Sequence, residues 1–305
     1  MTEHDSAYAD LVDHNEHDQW AFGTSFDDPL AGVDTTLTDG VDGADLAAYC
    51  LMLGDDALIS AQRLAEWNTM APELEEEVAL ANIGLDLLGQ ARLLLARAAA
   101  ADPSIVPQLP ADTPVPDEDA LAFFRDEPRF RNVRLVELEN GDFAFSIVRL
   151  FVFSTYRLSL LQSLRQSKDS VLAAVAAKGA KEVTYHRDYA ARWLVTLADG
   201  TDYSRSRILD AVQRIWPYTH ELFLTHPVEE RLAATATAVP SEALREEFDS
   251  IVGLVFRSAH LDVPDVQPAA GVGGRAGREG IHTEAMGYLL AELQSVARAH
   301  PMGRW

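Results

Sequence analysis

Ala71-Pro72-Glu73-Leu74-Glu75-Glu76-Glu77-Val78-Ala79-Leu80-Ala81-Asn82-Ile83-Gly84-Leu85-Asp86-Leu87-Leu88-Gly89-Gln90-Ala91-Arg92 opens like an α-helix and then turns almost wholly apolar. Proline stands in the first turn, where a missing N–H costs nothing, and the glutamates lie at the positive end of the helix dipole. One polar line, Asn82, Asp86 and Gln90, runs through the apolar stretch at steps of four, which puts its three side chains on one face. A carboxylate on such a face needs a metal ion, a cationic partner or water. The function of the chain turns on which of these it has.

Outward from this stretch the chain reads as helix on both sides. Leu46, Tyr49, Leu53, Ala57, Leu64 and Trp67 recur at steps of three and four and predict a first helix over about 44–67. The second runs from Pro72 to about Ala101. Pro103, Pro107, Pro110, Pro114 and Pro116 rule out a regular helix over 102–119. A third long helix is expected at 142–167 and a fourth at 171–198, stopped by Asp199-Gly200. Shorter helices follow at 204–224, kinked at Pro217, and at 241–260, with Ser241 as N-cap. Gly271 to Gly280 reads as a flexible loop, after which Thr283 caps a last helix to about Ala299. Four helices this long predict an all-α fold, a ferritin-like long four-helix bundle with additional C-terminal helices. The domain spans 44–305, and residues 1–43, rich in Asp, Gly, Thr and His, read as a mobile acidic extension.

Composition narrows the partners. Lys and Arg number 25 against 48 Asp and Glu, and a net charge of -23 argues against nucleic acid and against anionic membrane surfaces. No secretory signal is visible at the N-terminus, and Cys50 is the sole cysteine, so no internal disulfide forms and a reducing cytoplasm is expected. The best membrane-span candidate, 143–164, carries Arg149 and Arg157 well inside the run. Each would cost about 2.5–3.5 kcal/mol near a bilayer centre, so a buried bundle helix is the better reading.

Bundles that hold two irons or manganese ions take a Glu from each of two helices and Glu-x-x-His from each of the other two, all aimed inward. Here the second helix offers Asp86 but has Gly89 where the imidazole belongs. The fourth offers His186 but has Val183 three residues before it, with Glu182 one place out of step. The first helix contributes Glu66, and the third presents Ser154 where a carboxylate is needed. Half of the set is therefore missing. The residue types leave a choice among vestigial positions pairing with one another and with Arg157 or Arg92, a single metal on Glu66, Asp86, Glu182 and His186, and a working dinuclear centre. The first is preferred, because a dinuclear centre needs bridging carboxylates and about two imidazoles. Without a metal, Glu66 and Asp86 require partners, and His186 and Arg157 are expected within pairing distance of at least one of them.

Other motifs carry less. Gly271-Val272-Gly273-Gly274-Arg275-Ala276 fits a loose dinucleotide pattern but follows no strand. His4, His14 and His17 lie in the acidic extension and read as solvated. No Gly-x-Ser-x-Gly elbow is present, and Cys50 in an apolar helix reads as packing.

The blocks Leu53-Gly54-Asp55-Asp56-Ala57-Leu58, Gln62-Arg63-Leu64-Ala65-Glu66-Trp67, Ala71 through Arg92, Phe124-Arg125-Asp126-Glu127, Gly280-Ile281-His282-Thr283-Glu284 and Ala291-Glu292-Leu293-Gln294 resemble the C-subunit family (PaaC) of the multicomponent phenylacetyl-CoA 1,2-epoxidase, a ring-epoxidising monooxygenase. The resemblance covers about 45–305. It implies a ferritin-like bundle with no cofactor of its own, a non-catalytic scaffold in aerobic phenylacetate degradation. The implied partners are a catalytic A subunit that holds the di-iron site, a small B subunit, and a reductase with flavin and an iron–sulfur cluster. The acidic extension and the Pro-rich insertion near 102–117 depart from the family's pattern. Two other functions compete: an independently active metallo-oxygenase with a reduced ligand set, and iron storage, which would need an intact ferroxidase site. A scaffold should also expose an apolar helical face when alone.

Overall fold

A computed structural model of the chain describes Leu30 and residues 32–303; the N-terminal histidines and most of the acidic extension lie outside the described residues. Helix α1 (Gly43–Asn68) starts where the Asp42 carboxylate accepts from the N–H groups of Ala44 and Asp45, which would otherwise have no partner. Helix α2 (Leu74–Ala101) returns beside it after a five-residue turn. The two run antiparallel: Gly54 packs against Leu94 and Leu95, and Gly84 against Ala61 and Leu64. Helices α3 (Asp117–Phe123) and α4 (Arg134–Glu137) are short and punctuate an irregular crossover. Helices α5 (Phe143–Leu164) and α6 (Ser170–Ala198) form a second antiparallel hairpin, capped by Asp142 and Asp169. Helix α2 packs on α6, so the two hairpins close into a four-helix bundle. The described residues contain no strand, and the fold is an all-α ferritin-like bundle.

Helices α7 (Asp202–Ile215), α8 (Pro227–Ala233), α9 (Arg245–Ser258) and α10 (Glu284–Ala299) surround the bundle, with α7 and α9 on α5 and α8 on α1. Several sequence expectations shift here. Pro217 does not kink a helix over 204–224 but ends it. The ring lacks an N–H and disfavours helical backbone before it, so α7 stops at Ile215 and two short 3₁₀ turns follow. Ser241 is no N-cap, because its N–H and hydroxyl both donate to Glu229, at 3.0 and 2.8 Å, and a 3₁₀ turn precedes α9. Thr283 does stand at the N-cap of α10, yet its hydroxyl caps nothing, while its N–H donates to Glu137. The Gly271–Gly280 loop is tied down by Arg278, a buried residue within it. Of the stretch 1–43 read as mobile, the described residues Asp34–Thr38 contact the bundle: the Arg97 guanidinium donates to the Thr35 carbonyl at 2.8 Å, Thr38 to the Lys168 carbonyl at 3.3 Å, and Ser170 to Asp34.

Buried ion pairs fasten the irregular segments to this frame. Asp55 and Asp56 are fully buried on α1. Asp55 takes a two-pronged contact from Arg125 and the N–H of Arg131 at 2.8 Å. Asp56 takes two bonds from Arg278, at 2.8 and 3.1 Å, and the N–H of Val133 at 2.9 Å. The same loops are joined by Arg134–Glu221 at 2.8 Å and His282–Glu137 at 2.7 Å. Each carboxylate is hydrogen-bonded as well as paired, which offsets the cost of burying charge.

Candidate functional site

The polar line of α2 runs from water into the core. Asn82 is exposed, Asp86 is partly buried and Gln90 is buried. Asp86 and Gln90 meet different partners. Asp86, its side chain 40% exposed, bonds the Nε2 of buried His186 on α6 at 3.0 Å. Burial is the main influence on that imidazole and lowers its pKa, against the opposing pull of Asp86. Gln90 lies opposite Gly179 of α6, whose place would admit a side chain only by displacing the Gln90 amide and Leu161.

Gln90 bridges two charges. Its amide nitrogen donates to Glu182 at 3.0 Å, and its amide oxygen accepts from Arg157 Nε at 3.0 Å. Arg157 reaches from α5 into the middle of the bundle, where Nη1 donates to the Leu53 carbonyl of α1 at 3.1 Å and the guanidinium faces the Phe153 ring at 5.8 Å. It is 1% exposed, and Nη2 has no hydrogen-bond partner. Burial lowers its pKa to about 10, so it remains a cation at neutral pH. Lys178 closes the outer end on Glu182 at 3.4 Å. A polar layer thus crosses all four helices, with a guanidinium at its centre.

The structure brings some of the sequence-predicted positions together and separates others. His186 pairs with Asp86 as expected. Arg157 pairs with neither Asp86 nor Glu66; it bonds an amide and a carbonyl instead, since its stem carries the guanidinium across the core rather than along the α2–α6 edge. Arg92 turns out of the layer to Glu118 at 3.3 Å. Glu66 also lies elsewhere. At about 100° per residue it sits some 140° round α1 from Ala61, which faces α2, and it is held by Arg63 at 2.7 Å and Asn140 at 3.2 Å near the start of α5. Ser154 bonds only its own helix, at Phe151 O, and Val183 is core. Among the described residues outside its own stretch of helix, nothing stands within 4 Å of where a Gly89 side chain would begin.

This donor set does not fit a di-metal group. Among the described residues no three His, Cys, Asp or Glu side chains converge as a cation site requires. The centre of the layer already holds a fixed positive charge. The buried carboxylates that most constrain the molecule, Asp55, Asp56 and Glu137, were not picked out by the metal motif. Two adjacent aspartates in the apolar run of α1 were the available signal, because such a pair is buried only with cations to match.

A second feature lies on the outer side of α2. Leu74, Val78, Leu85 and Leu88 are exposed, Leu74 to 69% and Leu85 to 61%, and their spacing puts them in one stripe. Met70 before the helix and Tyr185 on α6 are exposed too. Isolated exposed apolar residues are ordinary, but a stripe along a long helix marks a surface for another protein.

Comparison with known proteins gives the chain a family. The family described as "Phenylacetic acid catabolic protein" matches residues 34–305. Among curated proteins, the C subunit of the 1,2-phenylacetyl-CoA epoxidase of Escherichia coli (strain K12) is 42% identical over 260 residues, covering 85% of this chain and 99% of the relative.

Proposed function

Because the chain belongs to the phenylacetic acid catabolic protein family, in which its relative is one subunit of an epoxidase, we propose that it is the C subunit of a phenylacetyl-CoA 1,2-epoxidase and acts there as a non-catalytic scaffold. On this reading the oxygen chemistry belongs to a di-iron A subunit, with electrons from a flavin and iron–sulfur reductase and a small B subunit in the same soluble assembly. The observation that carries it is Arg157. The guanidinium sits between α1, α2 and α5 in the bundle interior, where a bound cation would have to displace or repel it. What the chain offers instead is surface. The α2 stripe suits a permanent interface, which commonly buries more than about 2,000 Å² of largely apolar area.

The test has two arms. The purified chain should contain far less than one iron or manganese per molecule after chelator washing, and co-expression with the A subunit of the same organism should yield one heteromer whose iron follows the A subunit. Near-stoichiometric metal in the isolated chain, lost on His186→Ala, would overturn the scaffold reading and favour a mononuclear site at Asp86–His186.

A further inference from the structure

A cavity of about 470 Å³ lies between α2, α3 and α10 and shares no residue with the polar layer. Its floor is apolar: Leu58 of α1, Leu95 of α2 and Ala122 of α3 line it and are buried. Phe123, Leu293 and the exposed Val296 continue the apolar lining. Two carboxylates of α3 interrupt it, and their surroundings differ. Glu118 is buried, and Arg92 meets its charge at 3.3 Å. Asp119 is half-buried beside it and takes part in no hydrogen bond or ion pair among the described residues. Burial and the neighbouring Glu118 push its carboxyl up to about 6 against the pull of Arg92, so at neutral pH it is mostly an anion without a donor. His300 also lines the cavity, exposed just past the end of α10.

We propose that this cavity is a binding site for a small apolar primary amine, with its hydrocarbon body on Leu58, Leu95 and Phe123 and its ammonium on Asp119. Size fits, because small-molecule sites commonly occupy about 300–1,000 Å³ and combine apolar walls with a few placed polar groups. Charge selects an amine over an acid: Arg92 already serves Glu118, Asp119 is left unmatched, and the whole chain carries a net charge of -23. Hydrogen bonding agrees as well. A half-buried carboxylate with no protein donor gains a charge-assisted bond from an ammonium, and the apolar body holds that ammonium in place. An alcohol of the same shape keeps the wall contacts and loses the ion pair.

Calorimetric titration of the full chain at pH 7.5 tests this with 4-phenylbutylamine, 4-phenylbutan-1-ol and 4-phenylbutyrate, in about 0.15 M salt to screen the overall charge. The amine should bind one equivalent at least about tenfold more tightly than the alcohol, and the acid should bind most weakly. Methylamine, which has the charge without the body, should not saturate in the same range. Asp119→Asn, with an unchanged far-ultraviolet circular dichroism spectrum, should bring the amine down to the affinity of the alcohol and leave the alcohol where it was. Equal affinities for amine and alcohol, a preference that survives in Asp119→Asn, methylamine binding as tightly as the larger amine, or no saturable binding of the larger amine would each overturn the proposal.

Discussion

Helices α2 and α5 are both long and apolar enough to cross a membrane by length and composition, yet the bundle treats them differently. The most apolar window of α5 is 100% buried inside the molecule, and that of α2 is 44% buried. On α5 the apolarity is accounted for by the core: Phe145, Phe151 and Phe153 are enclosed, and the two arginines that break the run find acceptors, Arg149 at Leu138 O and Arg157 at Gln90 and Leu53 O. Helix α2 buries one face equally well and leaves Leu74, Val78, Leu85 and Leu88 in water. A helix apolar all round belongs in an interior. On the proposed reading, the interior that α2 lacks in this chain is one it would gain against another subunit.

Mutation separates the two kinds of apolar position. Phe151 is fully buried against α9, where its ring lies 6.4 Å from that of Phe256, and Phe151→Ala should cost about 3–5 kcal/mol in urea unfolding of the isolated chain. Leu85→Arg should change that stability by less than about 0.5 kcal/mol, because the side chain has little to lose. In the heteromer the second variant should matter. Placing a charge at the centre of an apolar interface costs about 2 kcal/mol or more, so affinity for the catalytic A subunit should fall at least about thirtyfold by surface plasmon resonance. Unchanged affinity for Leu85→Arg and for Leu74→Arg would remove α2 from the interface and leave its exposed stripe unexplained.

The same contrast shows what the sequence could convey. Periodicity located α1, α2, α5 and α6 to within a few residues, because burying one face of a long helix imposes a strict three-to-four spacing. It could not tell which face of α2 was covered, since an apolar residue that meets the core and one that meets another chain look alike. Charged positions were less legible. Asp86 and His186 were recognisable as partners from their place in a ligand motif, but Glu66 fitted the motif's types and not its geometry, being on the far side of α1 from α2. Arg157 was expected to pair with a carboxylate, whereas its long stem put the guanidinium among an amide, a carbonyl and a ring. The ion pairs of Asp55 and Asp56 join residues 70 and 222 positions apart, a separation no local pattern encodes. Ser241 and Thr283 sat where caps belong, but Glu229 and Glu137 drew their groups into buried networks.

The smallest effect expected is a difference in pH dependence between a closed region and the open flank. His282 is fully enclosed, with Nδ1 on Glu137 at 2.7 Å and Nε2 on the Phe130 carbonyl at 3.2 Å, so both nitrogens face acceptors. Burial alone would lower its pKa, but Glu137 and the carbonyl outweigh it and the pKa is raised above 6.5. A raised pKa means that the folded state holds the proton more tightly than the unfolded chain. Its stabilisation is therefore complete below about 6.5 and is lost as pH rises through the folded value. His186 on the open flank has the opposite sign. Burial dominates over its single bond to Asp86 and lowers the pKa, so its contribution is present above about 6.5 and is lost as pH falls through the folded value. Each histidine can contribute a slope of at most about 1.4 kcal/mol per pH unit. Urea titrations of the unaltered chain, His282→Gln and His186→Gln between pH 5 and 9 should show the first variant's deficit shrinking toward high pH and the second's shrinking toward low pH. Parallel deficits would mean that neither histidine changes charge in this range. If Asp86 is covered when the catalytic A subunit binds, the His186 slope alone should change in the heteromer, because an interface that dehydrates the carboxylate alters the one partner His186 has, while His282 is already sealed.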